Sequence, residues 1–280
     1  MLWGMANQVV AAPLRLGSAV FGERGAFKAN ALAQRLPAGF KRDRVRATRR
    51  GVRYELDLRD NVQHALFYAG WYDRALTRRL LTEARPGDVY VDVGAHIGVL
   101  ALPMARQLRR LGGGRVLAFE PAPDNAGRLR HAASRNHLDN LDVIEAALGA
   151  SAGTAALRVD PSFSNADTGV RSLYADGAAA FEVSVLSFDD WRSDRGLDRL
   201  DLVKIDVEGG ELDVLRGMTD AITHLKPRLI VFEVKDELLR RAGSTRAELE
   251  QIVSDLGYRS SVDGFGDEQA VNVSLVPASR

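Results

Sequence analysis

Cysteine is absent from the 280-residue sequence, which excludes disulfides, thiolate metal sites and a cysteine nucleophile. Nothing here conflicts with a reducing cytosol, and cytoplasmic residence is the expectation. Charge of one sign is equally scarce: 38 Lys and Arg balance 37 Asp and Glu, a net charge of +1. No field of that size steers a nucleic acid, so none is expected as a partner. Long apolar runs are missing too. The most apolar stretch, "MLWGMANQVVAAPLRLGSAVFG", is interrupted by Pro13 and Arg15 and falls short of the roughly 20 residues of a membrane span. Its first cation, Arg15, comes too late for the basic start of a signal peptide. It reads as an amphipathic helix packed on the protein body or on a partner, with peripheral membrane contact as the alternative.

What is present suits a soluble domain with an ample core: 46% hydrophobic and 27% charged residues. The run "FKRDRVRATRRGVR" reads as a solvated basic connector. Residues 1–50 are therefore expected to form a helical and basic extension, and 51–280 the main domain. From there "VRYELDLRD" alternates as a half-buried strand, and "DRALTRRLLTEA" places Leu76, Leu80 and Leu81 at helical spacing. Short β-branched strands ("VYVDV", "RVLAFEP", "LDVIEAALG", "LDLVKIDV", "RLIVFEV") then alternate with helical segments. That rhythm predicts an α/β fold of the doubly wound, Rossmann-like kind, a mostly parallel sheet with helices on both faces. "STRAELEQIVSDLGY" should open on a capping box of Thr245 and Glu248. The final pair "YRSSVDG" and "AVNVSLVP" should close the sheet as an antiparallel hairpin. Between residues 150 and 190, two strands flank the polar loop "PSFSNADTGVRSLYADG", long enough to act as a lid, with Ser164 and Asn165 as polar candidates for substrate contact.

In "VDVGAHIG", Asp92, Gly94 and Gly98 follow a buried strand and precede a helix. In an open α/β sheet, a nucleotide-like ligand sits at this place. A dinucleotide fingerprint needs three glycines, and His96 stands at the third position examined, which disfavours a nicotinamide or flavin. A tight turn without a ligand would use the same glycines. Glu120, which ends the next strand in "LAFEP", tips the balance, because an acid there accepts the hydroxyls of a ribose. An adenosine-type ligand without pyrophosphate is the expectation, and S-adenosylmethionine is the obvious candidate.

With "PGDVYVDVGAHIG", "FEP", "AALG", "SFDDW", "DLVKIDVEGGELDVLRG" and "PRLIVFEV" in this order, the sequence resembles the class I methyltransferases, and within them the FkbM family, over roughly residues 65 to 260. The resemblance implies a seven-stranded sheet and S-adenosylmethionine as cofactor. It implies that Asp92, Gly94 and Gly98 line the methionine end, with Ala95 and His96 in the same turn. Glu120 would hold the ribose, and Glu145 or Ala146 would border the adenine. Such enzymes methylate hydroxyls of sugars and secondary metabolites, so a small-molecule or glycan acceptor is expected. The sequence departs from the family pattern twice: His96 replaces an asparagine, and Asp73 stands where "G-x-Y-E" is typical.

An alkyl hydroxyl needs a base as its oxygen is methylated. In "LVKIDVE", period-two alternation would put Lys204, Asp206 and Glu208 on one strand face, with Glu233 ending the neighbouring strand. Asp206 is the candidate base or acceptor-orienting group, with Glu208 and Glu233 in support. The plainer reading of Asp206 is a salt bridge to Lys204; that of Glu211 is a favourable charge at a helix start. A third reading has Asp206 and Glu233 hold magnesium or calcium. A metal-dependent hydrolase using Asp206, Glu208 and Glu233, and a non-catalytic scaffold, are the rival functions. His96 can titrate near neutral pH. Trp71, Tyr72 and Trp191 read as packing or pocket walls.

Overall fold

The computed structural model describes residues 10–16, 28–29, 31–33, 35, 44–161, 167–262 and 271–277. Ser164 and Asn165 lie outside the described residues, as does most of the chain before Arg44. Residues 10–16 form a helix that lies on the body, with Ala11 fully buried and Arg15 donating to the Phe67 carbonyl at 3.2 Å. Among the described residues no helix is long and apolar enough to cross a membrane.

The basic run is not a connector. Arg44–Arg49 (β1) pairs antiparallel with Val52–Asp57 (β2). Val45 and Ala47 point inward, while Arg44 and Arg46 point to water. Arg50 and Gly51 form the two-residue turn, both with positive φ, as hairpins of right-handed twist require. Arg49 turns inward and donates to the carbonyls of Leu66 at 2.9 Å and Phe67 at 2.5 Å. It thereby satisfies the open end of the helix Asn61–Tyr68 (α1). The hairpin thus places Arg44–Arg49, expected in the extension, on the folded body.

After α1 come Arg74–Glu83 (α2), Asp88–Val93 (β3), Ala101–Leu111 (α3), Gly114–Phe119 (β4), Pro123–Arg135 (α4) and Leu141–Ile144 (β5). Then follow the short Ala147–Leu148 (β6), Gly153–Val159 (β7), Arg171–Ser172 (β8) and Ala179–Leu186 (β9). The chain continues with Phe188–Ser193 (α5), Leu202–Ile205 (β10), Glu211–Arg216 (α6), Thr219–Leu225 (α7), Leu229–Val234 (β11), Asp236–Arg241 (α8) and Arg246–Asp255 (α9). Tyr258–Val262 (β12) and Val271–Pro277 (β13) end it. The capping box of Thr245 and Glu248 opens α9 as expected.

The main sheet has seven strands in the order β12-β13-β11-β10-β3-β4-β5. β13 alone runs against the others, inserted between β11 and β12. This is the doubly wound class I arrangement, with the antiparallel hairpin at one edge. β3 is buried along its whole length and β10 likewise, because helices cover both faces. Two apolar clusters form the core, one on each face. The segment expected to be two strands around a loop builds a separate four-stranded sheet, β6-β9-β7-β8. Its β8 and the 3-10 turn Thr168–Val170 bring the second half of that loop over the main sheet. The chain winds outward from β3 in one direction and from β10 in the other. The crevice outside their carboxyl ends is the place for a ligand.

Candidate active site

A cavity of about 850 Å³ fills that crevice. Its floor is made where β3 and β10 end and turn. Gly94 follows β3 with φ +75, and a Cβ placed on it would lie 2.0 Å from the carbonyl oxygen of Asp206. Gly98 has φ +84 and lies behind the cavity, where a Cβ would strike Leu129 and Leu102. The packing of the protein on itself therefore demands both glycines. Only Gly94 also lines the cavity.

Lys204 ties the two turns together from beneath. Its Nζ donates to the Gly94 carbonyl at 2.9 Å and lies 3.4 Å from Asp92 and 3.5 Å from Asp206. Burial works against its charge, but the carboxylates of Asp206 and Asp92 keep the ammonium above its ordinary value. The salt bridge read from the sequence thus exists, and Asp92 shares it.

At one end of the cavity stand Asp92 and Glu120. Asp92 is buried, and neither carboxylate oxygen accepts a well-formed hydrogen bond. Burial raises its pKa against the pull of Lys204. Glu120 is also buried, which raises its pKa, and its oxygens accept the amides of His96 at 2.7 Å and Ala122 at 3.0 Å. The Asn125 side chain also donates to it, and acceptor capacity remains for a ribose hydroxyl. These features suit S-adenosylmethionine: for an ammonium, a buried acid whose charge Lys204 only partly meets, and a second acid for a ribose. Ala95, His96 and Ala146 line the same space. Glu145, expected at the adenine, instead faces outward and pairs with Arg130 at 2.6 Å. Its chain neighbour Ala146, between β5 and β6, lines the cavity instead.

His96 carries φ +51. Histidine and asparagine both tolerate this left-handed region better than most side chains, so the departure from asparagine preserves the turn. Its Nε2 lies 2.7 Å from the Thr168 hydroxyl, which in turn donates to Asp60 at 3.0 Å. Asp60 caps α1 and also accepts the Thr168 amide. Burial opposes its charge, yet the hydrogen bonds from His96, Gln63 and Thr168 hold its carboxyl well below the usual range. The Thr168–Val170 turn is thereby fastened to the turn after β3. Asp73, the second departure, caps α2 through the Leu76 amide. Asp60 was not singled out in the sequence, although Asp-x-x-Gln before an apolar run is a helix-start signal.

At the other end Asp206, Glu208 and Glu233 converge, with one oxygen of each within 4.8 Å of the others. They do not arrive there by strand alternation. β10 stops at Ile205, and Glu208 has φ +55 in the following turn. The cluster also holds Lys235, which the sequence reading overlooked. Its Nζ lies 2.8 Å from Glu233 and 3.1 Å from Glu208. Lys235 follows Glu233 by two residues at a strand end, and that period-two spacing was the available signal. Burial first, then the charge of Asp206, pushes the Glu208 carboxyl up to about 7 and raises Glu233 as well. Trp71 and Tyr72 line the cavity, Tyr72 more than half exposed. Trp191 does not: it packs against Phe119 and Phe188 in the core.

Glu211 stands at the start of α6 as expected, but it is buried. Its Oε1 accepts the amides of Val207 at 3.3 Å and Gly209 at 3.2 Å and so closes the turn that carries Asp206 and Glu208. Burial pushes its carboxyl from 4.5 up to about 7. A raised carboxyl contributes stability that is complete below its unfolded value and lost as pH climbs through the folded one. Glutamine keeps the acceptor oxygen and cannot ionise. Relative to the wild type, Glu211→Gln is therefore expected to gain up to about 3 kcal/mol between pH about 5 and about 8. Urea denaturation at the two pH values measures this; a difference independent of pH would contradict the buried charge.

Residues 92–260, more than half of the chain, match the family model of the FkbM methyltransferase domain. Among curated proteins, methyltransferase sdnD of Sordaria araneosa is 31% identical over 196 residues, which cover 60% of this chain and 72% of the relative. The hexuronic acid methyltransferase AglP of Haloferax volcanii is 32% identical over 150 residues, covering 54% and 58%. The 2-O-methyltransferase NoeI of Sinorhizobium fredii is 28% identical over 172 residues, covering 55% and 66%. The chain thus spans between 58% and 72% of these relatives' length. On its family match and its fold, the chain belongs to the FkbM family of methyltransferases, enzymes that use S-adenosylmethionine.

Proposed function

We propose that the enzyme methylates a hydroxyl group of a sugar or secondary metabolite, with Asp206 taking the acceptor proton. The observation that carries this reading is the convergence of Asp206, Glu208 and Glu233 beside the turn at Gly94. The names of the hexuronic acid and 2-O-methyltransferase relatives point to the same acceptor class. When bound, S-adenosylmethionine supplies an electrophilic methyl group with a neutral thioether as its leaving group.

The chain's own residues do the rest. Asp92 would hold the amino-acid end of the cofactor, Glu120 the ribose, and Ala146 the edge of the base. Asp206 is the most open acid of its cluster, with a third of its side chain exposed to the cavity. It is thus the one placed to meet an incoming hydroxyl. Transfer of the hydroxyl proton to it is worth about 10²- to 10⁴-fold. Trp71 and Tyr72, with the Thr168–Tyr174 segment, wall the cavity. Residues 44–280 would form the catalytic body.

The test is to incubate the purified protein with labelled cofactor and an extract of its source organism, then identify the methylated product. Label on nitrogen or carbon alone would overturn the hydroxyl assignment. Calorimetry with S-adenosylhomocysteine checks the cofactor end separately. Glu120→Gln is expected to weaken that binding about 10- to 100-fold, the cost of one charged hydrogen-bonding partner. Unchanged affinity would remove Glu120 from the ribose site.

A further inference from the structure

Three carboxylates within 4.8 Å of one another have the geometry of a divalent-metal site. A cation is already there. Lys235 donates to both Glu208 oxygens, at 3.1 and 3.4 Å, and lies 2.8 Å from Glu233. Its position is not loose: β11 ends at Val234, and Lys235 is the cap residue of α8. A second ammonium, Lys204, flanks the cluster 3.5 Å from Asp206. A divalent ion among the three acids would sit between two fixed positive charges. Repulsion at such distances opposes binding of a divalent ion there.

We propose that Lys235 is the built-in cation of the transfer site, filling the place of a divalent ion and pinning Glu208 and Glu233, so that transfer needs no metal. The proposal rests on the hydroxyl-transfer reading above and adds Lys235 to it as a positioning residue. By engaging the two glutamates, the ammonium leaves Asp206 as the acid that faces the acceptor. It also offsets part of the like-charge repulsion that would otherwise keep the three acids apart. A lysine suits this place because its three donors can serve two carboxylates at once, at no cost in solvated metal.

The test uses the full chain and manganese chloride as the probe. By calorimetry the wild type is expected to show no manganese binding at the cluster, and dialysis against a chelator should leave methyl transfer unchanged. Lys235→Ala is expected to gain manganese affinity by on the order of tenfold to a hundredfold. The further change Glu233→Gln should abolish that gain, which places it at the cluster. Lys235→Arg should keep transfer independent of metal, whereas transfer by Lys235→Ala should fall and be partly restored by manganese. Chelator-sensitive transfer in the wild type overturns the proposal. So does a Lys235→Ala variant that stays folded by circular dichroism and neither gains manganese nor loses activity. Binding of S-adenosylhomocysteine to each variant is read in parallel. Its failure in the wild type would undo the methyltransferase reading, whereas the manganese results bear on Lys235 alone.

Discussion

Gly94→Ala is expected to lower the melting temperature by about 10 °C and to abolish cofactor binding. Two penalties add at this position. The left-handed backbone, φ +75, costs a residue with a Cβ about 1–2 kcal/mol. The new methyl would also lie 2.0 Å from the Asp206 carbonyl oxygen, and that oxygen is backbone, so it cannot swing aside. The turns after β3 and β10 must move apart, which breaks the Lys204 contacts to Gly94, Asp92 and Asp206. Losses above about 3 kcal/mol follow, and in a chain of this size each kcal/mol shifts melting by roughly 2–4 °C. Gly127→Ala supplies the contrast. Gly127 lies inside α4, with ordinary φ and nothing within 4 Å of a new Cβ. That change should stabilise by about 0.5–1 kcal/mol, since glycine is the poorer helix former. Calorimetric melting of both variants and titration with S-adenosylhomocysteine measure these effects. Near-native melting and binding in Gly94→Ala would mean that the contact with Asp206 is not what fixes this glycine.

The physics of that turn also explains how much of the molecule could be read from its sequence. Strand–helix alternation, the capping box at Thr245 and the closing hairpin were legible because each depends on local pattern. The motif from Asp92 to Gly98 was legible as well, but its glycines answer to Asp206, Leu102 and Leu129, partners far along the chain or across a helix turn. The basic run at residues 40–53 misled because its six arginines mask the alternation of Val45, Ala47 and Val52, the part that makes a hairpin. Alternation misled in the other direction at Lys204, Asp206 and Glu208. The strand ends at Ile205, and Glu208 reaches the cluster only by taking a left-handed turn. Which of Glu145 and Ala146 faces inward depends on where β5 stops, and Arg130 offers the glutamate an outward partner. Lys235 and Asp60 carried only faint local signals, because the contacts to Glu208 and Thr168 that give them their roles come from residues more than 20 positions away.

Asp206→Asn is expected to reduce methyl transfer by about 10²- to 10⁴-fold while leaving cofactor affinity nearly intact. The asparagine keeps the size of the side chain and a carbonyl oxygen toward Lys204, and the position is partly open, so little stability is at stake. What it loses is the ability to take a proton. A second readout separates this role from a merely structural one. Burial and the Asp206 charge together raise the Glu208 and Glu233 carboxyls, Glu208 to about 7. In the wild type, transfer should therefore rise with pH through about 7, as Glu208 loses its proton and the added negative charge favours proton uptake at the cluster. Removing the Asp206 charge takes away one cause of the elevation, so the rising limb of the residual activity should move to lower pH. A structural lesion would lower the rate and leave the limb where it was. Single-turnover rates across pH 5 to about 9, measured with the acceptor identified from extract, distinguish the two. Loss of activity in Glu208→Gln with an undiminished Asp206→Asn enzyme would transfer the role of base to Glu208, whose carboxyl burial raises to about 7.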